Sequence, residues 1–128
     1  MNIFAKNIEV CIDKSDNFIA LKLFINDNMI SKMHCLLQDE ETLLICDIMP
    51  FKNKRHYCKG YGSIMITKLF EYCLHNKITK VLGNLSIVDA DHKDRLHGFY
   101  KKHGFEIIEY EKPIDTFYGL VIKKIWLY

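Results

Sequence analysis

Apolar and polar positions alternate through the first third of the chain. Residues 18–25, Phe-Ile-Ala-Leu-Lys-Leu-Phe-Ile, alternate in part and are rich in branched and aromatic side chains, which predicts a strand. Residues 8–12 are a shorter apolar run carrying Glu9, a first strand. Residues 30–37 predict the hairpin partner of 18–25 across the turn Asn26-Asp27-Asn28. Turn compositions recur at 14–17 and 38–41. Residues 43–49, Leu-Leu-Ile-Cys-Asp-Ile-Met, are almost continuously apolar, as in a strand buried on both faces. Asp47 interrupts that run and Pro50 ends it.

The period then changes. Ile66, Leu69, Phe70, Cys73 and Leu74 recur at the spacing of an amphipathic helix, predicted over 63–77. Strand character returns over 80–88, with Gly83 and Asn84 inside it. A glycine in a strand marks a bulge or a close approach. Asp89 and Asp91 are N-cap candidates for a second helix over 92–103, with Leu96, Phe99, Tyr100 and His103 on one face. Gly104 is placed to stop that helix in the left-handed conformation. Residues 105–110 and 117–127 predict two closing strands, with Pro113 between them. The order is four strands, helix, strand, helix, two strands. The central strand–helix–strand unit predicts a right-handed crossover between parallel strands, and the remainder antiparallel pairing. The fold class is α/β, as an α+β mixed sheet with helices packed on it. A length of 128 residues fits a single domain, 1–128, with a real core.

Composition narrows the function. Apolar residues make up 49%, which excludes a disordered chain. A net charge of +2, from 18 basic and 16 acidic side chains, is too balanced to argue for nucleic acid, whereas a polyphosphate needs only a local basic patch. The five cysteines contain no C-x-x-C pair and most lie in predicted elements, which suits a reducing compartment. Histidine spacing matches no metal motif, so no metal site is expected. The N-terminus has no signal-peptide form, and no apolar run approaches the ~20 residues of a membrane helix. The expectation is a soluble, cytoplasmic protein with no membrane partner.

The candidate chemistry starts at Tyr57-Cys58-Lys59-Gly60-Tyr61-Gly62-Ser63. A glycine-bearing loop that opens a helix aims backbone N–H groups at one point, where the helix dipole favours phosphate. Lys54, Arg55 and Lys59 add positive charge beside it. Two glycines before a helix are equally an ordinary turn. Two further motifs carry the reading beyond that: Ile48-Met49-Pro50 before the loop, and Tyr100-Lys101-Lys102-His103-Gly104-Phe105 after the late helix.

In this order the three motifs resemble the GNAT superfamily of acyl-CoA N-acyltransferases. That family's loop reads Arg/Gln-x-x-Gly-x-Gly/Ala, its preceding strand ends apolar-x-Pro, and its late helix ends Tyr-x-x-x-Gly-Phe. The likeness covers Leu43 to Phe105. Tyr57 stands where the family has Arg or Gln, the loop is longer than usual, and the two helices that normally follow the first strand have no room. The resemblance implies a short GNAT-like fold lacking that N-terminal helix pair. It also implies acetyl-CoA as cosubstrate and a primary amine, on a small molecule or a protein, as acceptor. The amides of Cys58, Lys59, Gly60, Tyr61, Gly62 and Ser63 would hold the diphosphate, with the Ser63 hydroxyl adding a bond or capping the helix. The backbone of Ile48 and Met49 would pair with the pantetheine arm almost as an added strand.

The same resemblance makes Tyr100 the general acid at the leaving sulfur. A phenol ordinarily titrates near about 10 and is protonated at neutral pH. By spacing alone Tyr100 is a packed helix-face tyrosine. Asp47 is a candidate base, since a carboxylate in an apolar strand is costly unless paired or functional; an ion pair with Lys or Arg, exposure at a strand end, and water relaying to a carboxylate are equal alternatives. His34, His56, His92 and Glu9 are not ranked. The polar cluster Asp89, Asp91, His92, Asp94 and Arg95 reads first as helix capping and surface pairing. The aromatic end, Trp126-Leu127-Tyr128, is expected to be packed, within the domain or across a homodimer interface. A non-catalytic acyl-CoA-binding or protein-interaction module on the same fold is the competing class. Nucleic-acid binding through 52–59 is a weaker third, since no RNA-binding motif accompanies the charge.

Overall fold

The computed structural model describes residues 7–49 and 60–126. Seven strands and two helices follow in the predicted order: β1 (Ile8–Ser15), β2 (Phe18–Ile25), β3 (Asn28–Leu37), β4 (Thr42–Met49), α1 (Tyr61–His75), β5 (Lys80–Ser86), α2 (Lys93–Lys102), β6 (Glu106–Ile114) and β7 (Phe117–Lys124). They form one mixed sheet ordered β1-β2-β3-β4-β5-β7-β6. Among these strands only β4 and β5 are parallel; every other neighbouring pair is antiparallel.

Local chemistry explains the hairpins. Ser15 pairs with Phe18 and Ile25 with Asn28, so each connection has two residues. Asn26 and Asp27 take φ of 49° and 69°. Two positive φ values are what the tight hairpin turn matching strand twist requires, and Asn and Asp tolerate them best. The short turn at Asp16-Asn17 also means that no helix separates β1 from β2.

Both helices pack on one face of the sheet. Alternate residues Ile19, Leu21, Leu23, Met33, Cys35, Leu43, Ile45, Val81, Leu85 and Val121 join Met65, Ile66, Leu69 and Cys73 of α1 and Tyr100 of α2 in one core cluster. Burying each large aliphatic side chain is worth about 1.5–3 kcal/mol. The buried stripe of α1 is Tyr61, Met65, Ile66, Leu69 and Cys73, while the expected Leu74 is 50% exposed. The helix ends two residues earlier than expected, because Lys77 turns left-handed at φ 57° and Ile78 N–H reaches back to Cys73 C=O. Burial also pushes the Cys73 thiol up to about 12, so it behaves as an apolar side chain. The opposite face carries Phe18, Leu36, Leu44, Leu82 and Ile122 in register across five strands.

Other expectations shift for identifiable reasons. β5 stops at Ser86, and residues 87–92 form a 3-10 turn that delivers the chain into α2. The N-cap of α2 is His92, without a side-chain cap bond, so Asp89 and Asp91 do not fill that role. β6 runs through Pro113 because it is an edge strand, where a missing N–H costs no ladder bond. Ile125 is buried but Trp126 is 69% exposed, so the aromatic end is not uniformly packed; Leu127 and Tyr128 lie outside the described residues. Gly104 stops α2 at φ 83°, as expected.

Gly98 sits inside α2, exposed, with no described residue within 4 Å of an added Cβ and no positive φ. Gly98→Ala is therefore expected to stabilise the protein by about 1 kcal/mol, by restricting the unfolded chain and improving helix propensity. Thermal unfolding should move up by roughly 3–5 °C; an unchanged or lower midpoint would count against this helix assignment.

Candidate active site

The site is built where β4 and β5 part. Their parallel pairing runs from Thr42 with Lys80 to Ile45 with Gly83 and ends there. β4 continues to Met49 and β5 to Ser86. Beyond the last rung each strand keeps its outer partner: Asp47, Ile48 and Met49 pair with His34, Met33 and Lys32, and Asn84 pairs with Leu120. A wedge therefore opens between β4 and β5, edged by main chain.

The cause of the parting lies in β4. Across β3, His34 faces Asp47 and Cys35 faces Ile45, so Cys46 is an extra residue, a β-bulge. A bulge bends its strand and re-aims the residues beyond it. Because strand side chains alternate with period two, one added residue also inverts the parity. Leu43 and Ile45 face the helices. Without the bulge Asp47 would join them. With it, Asp47 is exposed beside His34, and Ile48 packs against the core. The carboxylate in the apolar run is thus reconciled with burial.

Tyr100 marks the closed end of the wedge. Its side chain is 6% exposed, and its ring lies between Phe99 (5.7 Å, edge-on) and Phe105 (5.1 Å, T-shaped). Its hydroxyl is 3.7 Å from where a Cβ on Gly83 would stand. Gly83 belongs to the last β4–β5 rung. The missing side chain at Gly83 lets Tyr100 and Val121 approach there, which is the close approach that a glycine inside a strand signals.

The first turn of α1 lies on the same face. Gly60 is its N-cap, in the left-handed conformation at φ 80° and ψ 9°, with no side-chain cap bond. Its carbonyl accepts from Ile64 N–H at 3.1 Å. In the first turn the N–H groups of Gly62 and Ser63 precede any intrahelical acceptor and point along the helix axis. Among the described residues nothing lies within 4 Å of a Cβ on Gly60. At Gly62 a Cβ would lie 3.2 Å from the Phe99 ring, so this glycine also lets α2 pack close. Tyr61 turns its side chain into the core. The Ser63 hydroxyl is 2.8 Å from His103 Nε2.

Of the sequence candidates, Gly60, Tyr61, Gly62 and Ser63 form one helix mouth, and Ile48 and Met49 form the β4 edge of the wedge. Tyr100 lies at its apex on the helix face, and Asp47 lies on the opposite face past the bulge. Cys58 and Lys59, with Lys54, Arg55 and Tyr57, lie outside the described residues. Sequence reasoning did not single out Phe99 or His103 beyond their helix face, and it flagged Gly83 as a bulge or close approach without naming what approaches.

The arrangement can accept a thioester-bearing diphosphate cofactor: a helix mouth opened by a left-handed glycine, a strand-like arm slot, and a buried phenol at the slot's end. Known proteins share this fold. A GNAT acetyltransferase from Elizabethkingia anophelis with acetyl-CoA bound superposes with a TM-score of 0.69 at 14% identity, covering 92% of this chain and 98% of that one. The PaiA N-acetyltransferase from Thermoplasma acidophilum, in complex with coenzyme A, gives 0.66 at 13% identity, covering 84% and 61%. A GNAT-family acetyltransferase from Staphylococcus aureus gives 0.67 at 14%, covering 85% and 69%. The uncharacterized protein YocC of Bacillus subtilis is 40% identical over 48 residues, which is 38% of this chain and 29% of that protein's length. The sequence model of the acetyltransferase (GNAT) family matches residues 8–105, from β1 through the Gly-Phe that closes α2. On this match, and with a sheet that parts beside a glycine-opened helix, the chain belongs to the GNAT family of acetyltransferases.

Proposed function

We propose that residues 1–128 act as one acyltransferase domain that moves an acetyl group from acetyl-CoA directly to a primary amine, both substrates being held at once. The observation that carries this reading is the Tyr100 hydroxyl over the last β4–β5 rung, on the same face as the α1 mouth. Acetyl-CoA supplies the activated acetyl thioester. The chain supplies the rest. Amides of Gly60, Tyr61, Gly62 and Ser63 grip the diphosphate, and Cys58 and Lys59 extend that grip. The main chain of Ile48 and Met49 aligns the arm in the wedge. Much of the rate comes from this alignment, since fixing two reactants together removes entropy from the barrier.

Tyr100 gives a proton to the departing sulfur, and Asp47 takes one from the amine. These two groups lie on opposite faces of the parted sheet, so the acceptor approaches from the open face while the thiol departs on the helix face. The acceptor is a small-molecule or protein amine. The free thiols Cys11, Cys35, Cys46 and Cys73 suit a reducing compartment, and no helix among the described residues is long and apolar enough to cross a membrane. We place the protein in the cytoplasm.

Acetyl-CoA should raise the midpoint of thermal unfolding by several degrees at a hundredfold excess over Kd, which corresponds to about 2.7 kcal/mol. An amine panel read by release of free thiol then identifies the acceptor. Stabilisation without transfer to any amine would leave an acyl-CoA-binding module instead. No stabilisation at all would remove the cofactor reading.

A further inference from the structure

His103 closes α2 and reaches across to α1. Its Nε2 lies 2.8 Å from Ser63 Oγ, and its ring meets Phe99 edge-on at 5.0 Å. Phe99 stands 3.2 Å from where a Cβ on Gly62 would be. The end of one helix thus braces the first turn of the other, at the two residues whose amides open the helix mouth.

A hydroxyl has one proton to give and lone pairs to accept with. When the neutral His103 ring carries its proton on Nδ1, Nε2 accepts from Ser63, whose lone pairs turn outward. When the ring takes up a second proton, Nε2 donates to Oγ, and the Ser63 proton becomes available to an anion. We propose that His103 is a positioning residue for the cofactor's diphosphate, setting through Ser63 whether the mouth of α1 offers a donor or a lone pair, so that diphosphate binding is linked to proton uptake by His103. This rests on the reading of residues 60–63 as the diphosphate site.

The surroundings favour such linkage. Burial, with Lys102 beside it, holds the free imidazole below the ordinary histidine range. Of the neighbouring charges, Lys123 of β7 packs at Gly104, the next residue, and Lys68 of α1 borders a groove with Ser63 and is paired to Glu71. The Lys102 ammonium disfavours a further positive charge on His103, and a bound diphosphate offsets it. The bound-state pKa of His103 therefore lies above the free-state one. The added affinity is fully present below the free-state value and is lost as pH rises through the bound-state value.

The test is calorimetric titration of the full chain with acetyl-CoA from pH 5.5 to 8.5, in buffers of differing ionisation enthalpy, for wild type, His103→Gln and Ser63→Ala. The cofactor's own phosphates titrate in this window equally for all three proteins, so the difference between proteins is read. Wild type should gain about five- to tenfold in affinity over His103→Gln between pH 8 and pH 5.5, the upper range of one hydrogen bond's net contribution, with proton uptake. Ser63→Ala should lose most of the gain, keeping only the direct charge coupling between His103 and the diphosphate. Parallel slopes for wild type and His103→Gln, or an undiminished gain in Ser63→Ala, overturn the inference. Imidazole resonances of the wild type, free and bound, read the linkage without substitution: the His103 midpoint rises on binding, and a fixed midpoint overturns it. If wild type binds no acetyl-CoA, the diphosphate site and this inference fall together; binding with parallel slopes overturns the inference alone.

Discussion

Tyr100→Phe is expected to lower acetyl transfer by about a hundred- to ten-thousandfold, the usual range for losing a general acid. The substitution removes one oxygen and keeps the ring that Phe99 and Phe105 pack against. The core cluster is otherwise unchanged, so the fold should survive with a shift of a few degrees in thermal midpoint. Acetyl-CoA affinity should stay within a few-fold, because the diphosphate and arm contacts belong to other residues. A fall in turnover without a matching fall in affinity is the mark of an interaction made only in the transition state. Thiol release at saturating acetyl-CoA, alongside calorimetry, separates the two. Unchanged turnover would take Tyr100 out of the mechanism and leave it as core.

Gly60→Glu should abolish acetyl-CoA binding while leaving the sheet intact. At φ 80° any L side chain is strained, by about 1–2 kcal/mol. No described residue lies within 4 Å of the new Cβ, so the cost identified is conformational. The added carboxylate then sits beside the first-turn amides, competing with the diphosphate and repelling it. Gly60→Ala carries the strain without the charge and is the matched control: it should keep the unfolding midpoint of Gly60→Glu and bind acetyl-CoA more tightly. Calorimetry checks both. Binding by Gly60→Glu at wild-type affinity would show that the diphosphate lies elsewhere.

The order of elements was legible because each carries its own local signal. Two-residue turns announce themselves through Asn26-Asp27, and Ile66, Leu69 and Cys73 beat at helical period. The glycines at 60 and 62 flagged the helix mouth for the same reason. What stayed hidden depends on neighbours distant in sequence. Pro113 reads as a strand breaker until β6 is known to be the sheet edge. Asp89 and Asp91 read as caps, but the 3-10 turn over Ile87–His92 hands the N-cap to His92. Ser63 and His103 are 40 residues apart, and nothing local in either pairs them. Gly83 was visible as an anomaly, yet its partner Tyr100 comes from a later helix.

The bulge at Cys46 was equally illegible, since Leu43 to Met49 is apolar enough to suit either register. It sets an unusual rule for how this strand tolerates change. Cys46 itself is exposed, so its identity matters little and many side chains could stand there. Its presence matters a great deal. Deleting it would turn Asp47 inward against α1, turn Ile48 out to water, and let β4 run on alongside β5 until the slot was sealed. The position is permissive to exchange and hostile to shortening, the reverse of a surface loop, because what it contributes is a count and not a chemistry.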